Sequence, residues 1–110
     1  MSGDYASRFT YFAVRIAMHI ATLTVTLHLW EGSSLKDKRQ VIKGLITAVR
    51  RKFNVSIAEI DDLDAWRRAT LGIATVSNDP RHANRVLDKV LDVLESQPAI
   101  DVGEVRMEVL

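Results

Sequence analysis

The sequence predicts a single α+β domain whose elements follow the order β-α-β-β-α-β. Apolar and polar residues alternate in the first and last segments, and two internal segments repeat apolar residues every three or four positions. A length of 110 residues with 47% apolar residues suits one two-layer core. Each β-α-β half requires a right-handed crossover, so both helices are expected on one face of an antiparallel sheet with strand order 4-1-3-2. This arrangement is the ferredoxin-like sandwich.

The first strand is predicted over residues 19–29. Its odd positions from Ala21 to Leu29 are apolar, whereas three threonines and His28 occupy even positions. This period of two is typical of a strand with one buried face, and the threonines favour it because they are β-branched.

The first helix is predicted over residues 35–53, with Ser34 as its N-cap and Asn54 as a left-handed stop. Its apolar residues recur at helical spacing and form one stripe. The members of that stripe are Leu35, Ile42, Leu45, Ile46, Val49 and Phe53.

The second half of the domain repeats the β-α-β pattern. Strands are predicted over residues 55–60 and 66–77, and an acidic turn with three aspartates joins them. A helix begins after Asp79, because an aspartate followed by Pro80 is a common helix start. The last predicted strand covers residues 100–110, where apolar and charged residues alternate.

Residues 1–17 are interpreted as an extension outside the domain, which then covers residues 18–110. The extension is expected to be disordered or to precede a true start at Met18, and the alternative is an amphipathic arm that docks on a partner or a membrane. No apolar run approaches the roughly 20 residues that a membrane-spanning helix needs. We therefore predict a cytoplasmic protein without a membrane partner.

The chain contains no cysteine, which excludes disulfides, iron–sulfur clusters, thiolate zinc sites and cysteine nucleophiles. The three histidines are scattered, and although His28 and Glu31 could form an acid/base pair, a lone histidine at a strand end is more often simply exposed. The prediction is accordingly a protein that is not an enzyme and that uses neither a metal nor a cofactor.

The first helix concentrates positive charge. It holds seven of the fifteen basic residues and a single acid, Asp37. Four of the seven fall within about 60° of helix surface beside the apolar stripe, whereas Lys38 falls near the apolar arc, where its ammonium is expected to snorkel out beside the sheet edge. Candidate nucleic-acid-binding residues are Lys36, Lys38, Arg39, Lys43, Arg50 and Arg51.

Two interpretations of this charge remain open. A basic helix face is often simply solvated, and the helix dipole alone favours cations at residues 50–52. Alternatively the face binds nucleic acid, contacting phosphates with little sequence readout and with strong salt dependence.

The predicted uncovered face of the sheet carries threonines, a glycine and alanines, so it lacks aromatic residues on which bases stack. Such a small and weakly polar face suits a homodimer or a small-ligand regulatory module. Trp66, at the predicted start of the third strand, is a candidate anchor for a partner, although its ring is more often expected to cover the end of the core.

Three segments resemble the YlxP-like family, which is catalogued as domain of unknown function 503. They are Ser34-Leu35-Lys36-Asp37-Lys38-Arg39, Phe53-Asn54-Val55-Ser56-Ile57-Ala58-Glu59 and Trp66-Arg67-Arg68-Ala69. The resemblance runs from Met18 to the C-terminus. It implies a small bacterial protein of ferredoxin-like fold, encoded near translation initiation and ribosome maturation factors. It implies no catalytic residue.

Together, the basic helix and the resemblance predict a non-catalytic accessory protein that binds RNA or the ribosome through phosphate contacts. The alternative is a dimeric protein-interaction or small-ligand module that uses the open sheet face.

Overall fold

The computed structural model describes residues 17–30 and 34–110, and it has the predicted element order. Its strands form one antiparallel sheet in the order β2-β3-β1-β4, which is the predicted order seen from the opposite edge. The α+β, ferredoxin-like fold is therefore confirmed. The elements are β1 (His19–Leu29), α1 (Leu35–Lys52), β2 (Ser56–Asp61), β3 (Arg68–Ser77), α2 (Pro80–Glu95) and β4 (Ile100–Val109). Apart from Ala17, the predicted extension over residues 1–17 lies outside the described residues.

The core lies between the two helices and one face of the sheet. The odd-numbered residues of β1 from Ala21 to Leu29 are all buried, as their alternation predicted. Removing a leucine or valine side chain of this kind from water contributes about 1.5–3 kcal/mol, which is why the alternating pattern fixes the face of the sheet that the helices cover. The helices bury Ile42, Leu45, Val49, Ala83, Leu87, Val90 and Leu94 against it.

The predicted helix starts are confirmed. Ser34 Oγ accepts a hydrogen bond of 3.1 Å from the Asp37 backbone N–H at the start of α1. A carboxylate oxygen of Asp79 accepts one of 2.9 Å from the Arg81 N–H at the start of α2, with Pro80 in the first turn. Each side chain satisfies a backbone donor that lacks a partner within its helix.

The predicted left-handed stop at Asn54 is wrong. Helix α1 ends at Lys52, its C-cap residue Phe53 is extended with φ −131°, and the Phe53 N–H donates to the Val49 carbonyl at 2.9 Å. Among the described non-glycine residues, Asp62 is the one with positive φ. The chain passes directly from α1 towards β2 because the partly buried Phe53 packs against the core.

The sheet face away from the helices is open. A register shift in β2 between Glu59 and Asp61 places Ile60 over Gly72 of β3. A Cβ atom at position 72 would lie 3.0 Å from Ile60 Cγ2, so glycine permits this close approach.

Candidate nucleic-acid interface

Four cations of α1 form a stripe along one flank of the helix, which we call the basic stripe: Lys36, Arg39, Lys43 and Arg50. All four are exposed. At 1.5 Å per residue the stripe extends over about 21 Å. It runs beside the buried face of α1, on the side of the helix that faces the sheet edge.

The stripe borders a groove between α1 and β2. The groove has a volume of about 480 Å³, and Arg39, Lys43 and Arg50 line it. Its apolar lining comes from both elements, and Glu59 adds one carboxylate. Strand β2 is an edge of the sheet, so the groove opens beside backbone groups that no strand pairs with. The apolar residues of the lining are Ile42, Ile46, Ile57 and Ala58.

Arg50, at the C-terminal end of the basic stripe, is bonded to strand β2. Its Nη2 donates a hydrogen bond of 3.0 Å to the Ile57 carbonyl of β2. A guanidinium has five N–H donors in a rigid plane, so this bond holds the Arg50 side chain in place and leaves donors for a further acceptor.

Lys38 lies outside this interface. It is fully buried, with its Nζ 2.8 Å from Glu59 Oε2 and donating a hydrogen bond to the Asp62 carbonyl. The predicted snorkelling of its ammonium into solvent is therefore wrong. Its position near the middle of the buried arc directs the side chain to the sheet, where β2 and the turn after it supply an anion and a carbonyl. Lys38 is not available to a phosphate.

The Glu59 carboxylate has fewer polar partners than the Lys38 ammonium. Its Oε2 is buried and accepts no hydrogen bond of good geometry from the described residues, so its contact with Lys38 is purely ionic. The side chain keeps 15% of its surface exposed. The pair attaches the first turns of α1 to β2, and it thereby positions the beginning of the basic stripe.

Asp62 shapes the turn that receives Lys38. Its φ of 61° is in the left-handed region that aspartate tolerates better than most residues. Its Oδ2 accepts hydrogen bonds from Thr70 Oγ1 at 2.7 Å and from Arg68 Nε at 3.1 Å. These bonds fix the turn so that the carbonyl of the same residue points at Lys38 Nζ.

The hydrogen bond from Thr70, followed by the charge and hydrogen bond of Arg68, lowers the pKa of Asp62 below its ordinary value of 3.8. Because the pKa of Asp62 is lower in the folded protein than in the unfolded chain, its ionised carboxylate stabilises the fold at pH values above the unfolded-state pKa. That stability is lost as the pH falls through the folded-state pKa. We therefore expect Asp62→Asn to flatten the acid limb of stability below about pH 4. Thermal unfolding of both proteins between neutral and acidic pH checks this. An acid limb of unchanged steepness in the variant would contradict it.

The remaining cations of α1 lie apart from the stripe. Arg51 is exposed, but it points about 100° away from Arg50 around the helix. Lys52 Nζ lies 5.9 Å from the centre of the Phe53 ring. Of the predicted binding residues, the structure thus brings together Lys36, Arg39, Lys43 and Arg50, and it separates Arg51 and Lys38 from them.

Two carboxylates beside α1 pair with residues outside the basic stripe. Glu59 pairs with Lys38, and Asp62 of the predicted acidic turn pairs with Arg68. These two carboxylates therefore hold the buried lysine and the turn.

The open sheet face has an apolar end. Ile20 of β1 lies between Val76 of β3 and Leu110, whose N–H donates 2.7 Å to the Ile20 carbonyl. Val76, Leu110 and Met18 are exposed. Homodimerisation through this face stays a prediction.

Residues 17–30 and 34–110 contain no group of three or more histidines, aspartates or glutamates that could hold a metal ion. Their helices include none that is long and apolar enough to cross a membrane.

Fold and site define a ferredoxin-like domain with a cationic flank on its first helix. The chain belongs to the family described as "Protein of unknown function (DUF503)", whose model matches residues 20–107. It is 41% identical over 80 residues to the uncharacterized protein YlxP of Bacillus subtilis (strain 168), covering 73% of this chain and 87% of that protein. The predicted YlxP-like family is thereby confirmed.

Among solved structures, the chain is similar to the de novo designed protein Foldit4. The two are 15% identical with a TM-score of 0.48, over 83% of this chain and 96% of the designed one.

Proposed function

We propose that this protein is a non-catalytic, RNA-binding accessory protein that contacts phosphates through the basic stripe of α1. The observation that carries the proposal is the placement of Arg39, Lys43 and Arg50 on one groove, with Lys36 one turn further along the same flank. Cations that lie along one line can contact several phosphates of one nucleic-acid strand.

The charge distribution supports the proposal. The chain has a net charge of +1, and residues 34–53 have +6, which leaves −5 for the rest. Burial of Lys38 beside Glu59 removes one charge from the accessible set but leaves the stripe intact. By contrast, α2 has three basic and three acidic residues, so its net charge is zero. A polyanion is therefore drawn to one side of the molecule.

Phosphate contacts from exposed lysines and arginines read no base sequence directly. Binding of this kind suits a factor that recognises an RNA by its backbone and position, and the family resemblance implies a role linked to RNA or to the ribosome. The protein is expected to act in the cytoplasm without a cofactor.

The salt dependence of binding tests the proposal. Four phosphate contacts are expected to give a slope of about −3 when the logarithm of the association constant for single-stranded RNA is plotted against the logarithm of salt concentration. Fluorescence anisotropy of a labelled RNA oligomer measures this slope. Binding that is absent at low salt, or a slope shallower than about −1, would contradict phosphate recognition by the stripe.

A further inference from the structure

The chain has two tryptophans, and both are largely exposed at the same end of the sheet. Trp30 is 64% exposed and Trp66 is 55% exposed. Exposure of this extent is unusual for a residue type that is highly buried on average. The expectation that Trp66 covers the end of the core is therefore not what the structure shows.

The two tryptophans adjoin the last hydrogen-bonded residues of two neighbouring strands. His28 of β1 pairs with Arg68 of β3, and the Leu29 N–H then donates to the Arg67 carbonyl at 2.9 Å. Trp30 follows Leu29 directly, and Trp66 directly precedes Arg67. Opposed residues of neighbouring strands have Cβ atoms about 5 Å apart, so residues that adjoin such a pair lie near enough for one partner to cover both.

This tryptophan surface rests on a fixed backbone. The Trp30 N–H donates to the Ala99 carbonyl at 3.2 Å, so β1 is held from the side of β4 as well as from β3. Leu63, 53% exposed, lies in the turn that leads to Trp66. Large aromatic side chains on an ordered backbone lose little freedom when a partner binds, and tryptophan is enriched at binding hot spots.

The surroundings of the tryptophan surface are acidic. Asp61 and Asp64 are exposed in the turn that leads to Trp66, and Asp101 is exposed opposite His28 in β4. Of the neighbouring guanidiniums, Arg68 is already bound to Asp62, and Arg67 is exposed beside Trp66. The four aspartates and two arginines together keep a net charge of −2. A nucleic acid whose bases stacked here would bring its phosphates towards these carboxylates, so a cationic ligand is favoured over RNA.

We propose that the tryptophan surface, formed by Trp30 and Trp66 with Leu63, docks a lysine- and arginine-rich segment of a partner protein. The indole faces attract guanidinium and ammonium groups through cation–π interactions, for which tryptophan is the best ring. The carboxylates of Asp61, Asp64 and Asp101 pair with neighbouring cations of the same segment. The partner surface is thus separate from the basic stripe and opposite to it in charge.

An oligo-arginine peptide is a suitable probe, because the two tryptophans alone report on this surface by intrinsic fluorescence. We expect the peptide to change tryptophan emission to saturation, whereas an oligo-glutamate peptide leaves it unchanged. With a labelled peptide, Trp30→Ala and Trp66→Ala are each expected to weaken binding about threefold. Both positions are exposed, so circular dichroism is expected to show unchanged folding.

A charge-matched pair of variants separates docking from general attraction to an acidic protein. Neutralising Asp61, Asp64 and Asp101 to asparagine is expected to weaken peptide binding about tenfold. Neutralising the exposed acids of α2, through Asp88→Asn, Asp92→Asn and Glu95→Gln, is expected to change it less than twofold. Equal losses in the two triple variants would overturn the proposal. So would a loss of RNA affinity, without loss of peptide affinity, in the tryptophan variants, because the surface would then stack bases.

Discussion

Replacing Lys38 by methionine is expected to lower the free energy of unfolding by about 3 kcal/mol. Methionine keeps the length and apolar stem of lysine but removes its charge and its donors. The variant leaves the Glu59 carboxylate without its cation and the Asp62 carbonyl without the lysine donor. Removing one partner of a buried ion pair costs about 3–5 kcal/mol, and the partial exposure of Glu59 places this pair at the lower end. Denaturant unfolding measures the loss.

Two controls make this prediction specific. Lys43→Met removes an exposed lysine from the same helix, and it is expected to change stability by less than about 0.5 kcal/mol. Adding Glu59→Met to Lys38→Met removes both charges, and it is expected to recover most of the loss. If Lys38→Met is as stable as Lys43→Met, the buried pair does not anchor α1 to the sheet.

The elements of the fold and their order could be predicted from local sequence patterns. The alternation from Ala21 to Leu29 defined β1 and its buried face because a strand places successive side chains on opposite faces. Ser34 and Asp79 defined both helix starts because short polar side chains satisfy free backbone donors. Even the strand order followed, since right-handed crossovers leave few alternatives for this order of elements.

Contacts between segments that are far apart in the sequence could not be predicted from such local patterns. No sequence pattern indicated that Glu59, 21 residues after Lys38, is its counter-ion, because no local rule relates a helix position to the register of an edge strand. The angular position of Lys38 near the apolar arc was the available signal. It indicated burial. The snorkelling interpretation was wrong because the Glu59 carboxylate and the Asp62 carbonyl bind the buried ammonium.

The placement of Trp30 and Trp66 at one end of the sheet was also missed. These residues flank β1 and β3, which pair although they are not consecutive in the chain, so no hairpin turn sets their register. The pairing of His28 with Arg68 brings the two tryptophans to the same end of neighbouring strands. The Ile57 carbonyl that holds Arg50 belongs to the same class of contact, because it depends on how the helix packs beside β2.

Reversing three charges of the basic stripe is expected to weaken RNA binding by about 100-fold or more. The variant Lys36→Glu, Arg39→Glu and Lys43→Glu loses three phosphate contacts and places three carboxylates against the RNA backbone. All three positions are exposed, so the domain is expected to fold normally. Arg50 stays unchanged in this variant because its bond to the Ile57 carbonyl contributes to the structure.

The matched control reverses Arg81, Arg85 and Lys89 to glutamate on α2. It changes the net charge of the protein by the same six units, on exposed positions of the other helix. At an ionic strength of about 0.15 M, charges more than about 8 Å from a phosphate are largely screened. The control is therefore expected to weaken RNA binding only a few-fold, through the overall charge.

The most direct test is the ratio of the dissociation constants of these two triple variants for one RNA oligomer in one buffer. Binding along the flank of α1 predicts that the α1 variant is weaker than the α2 variant by about 30-fold or more. Equal dissociation constants would mean that RNA responds to the total charge of the molecule, and that the four cations beside β2 form no binding site.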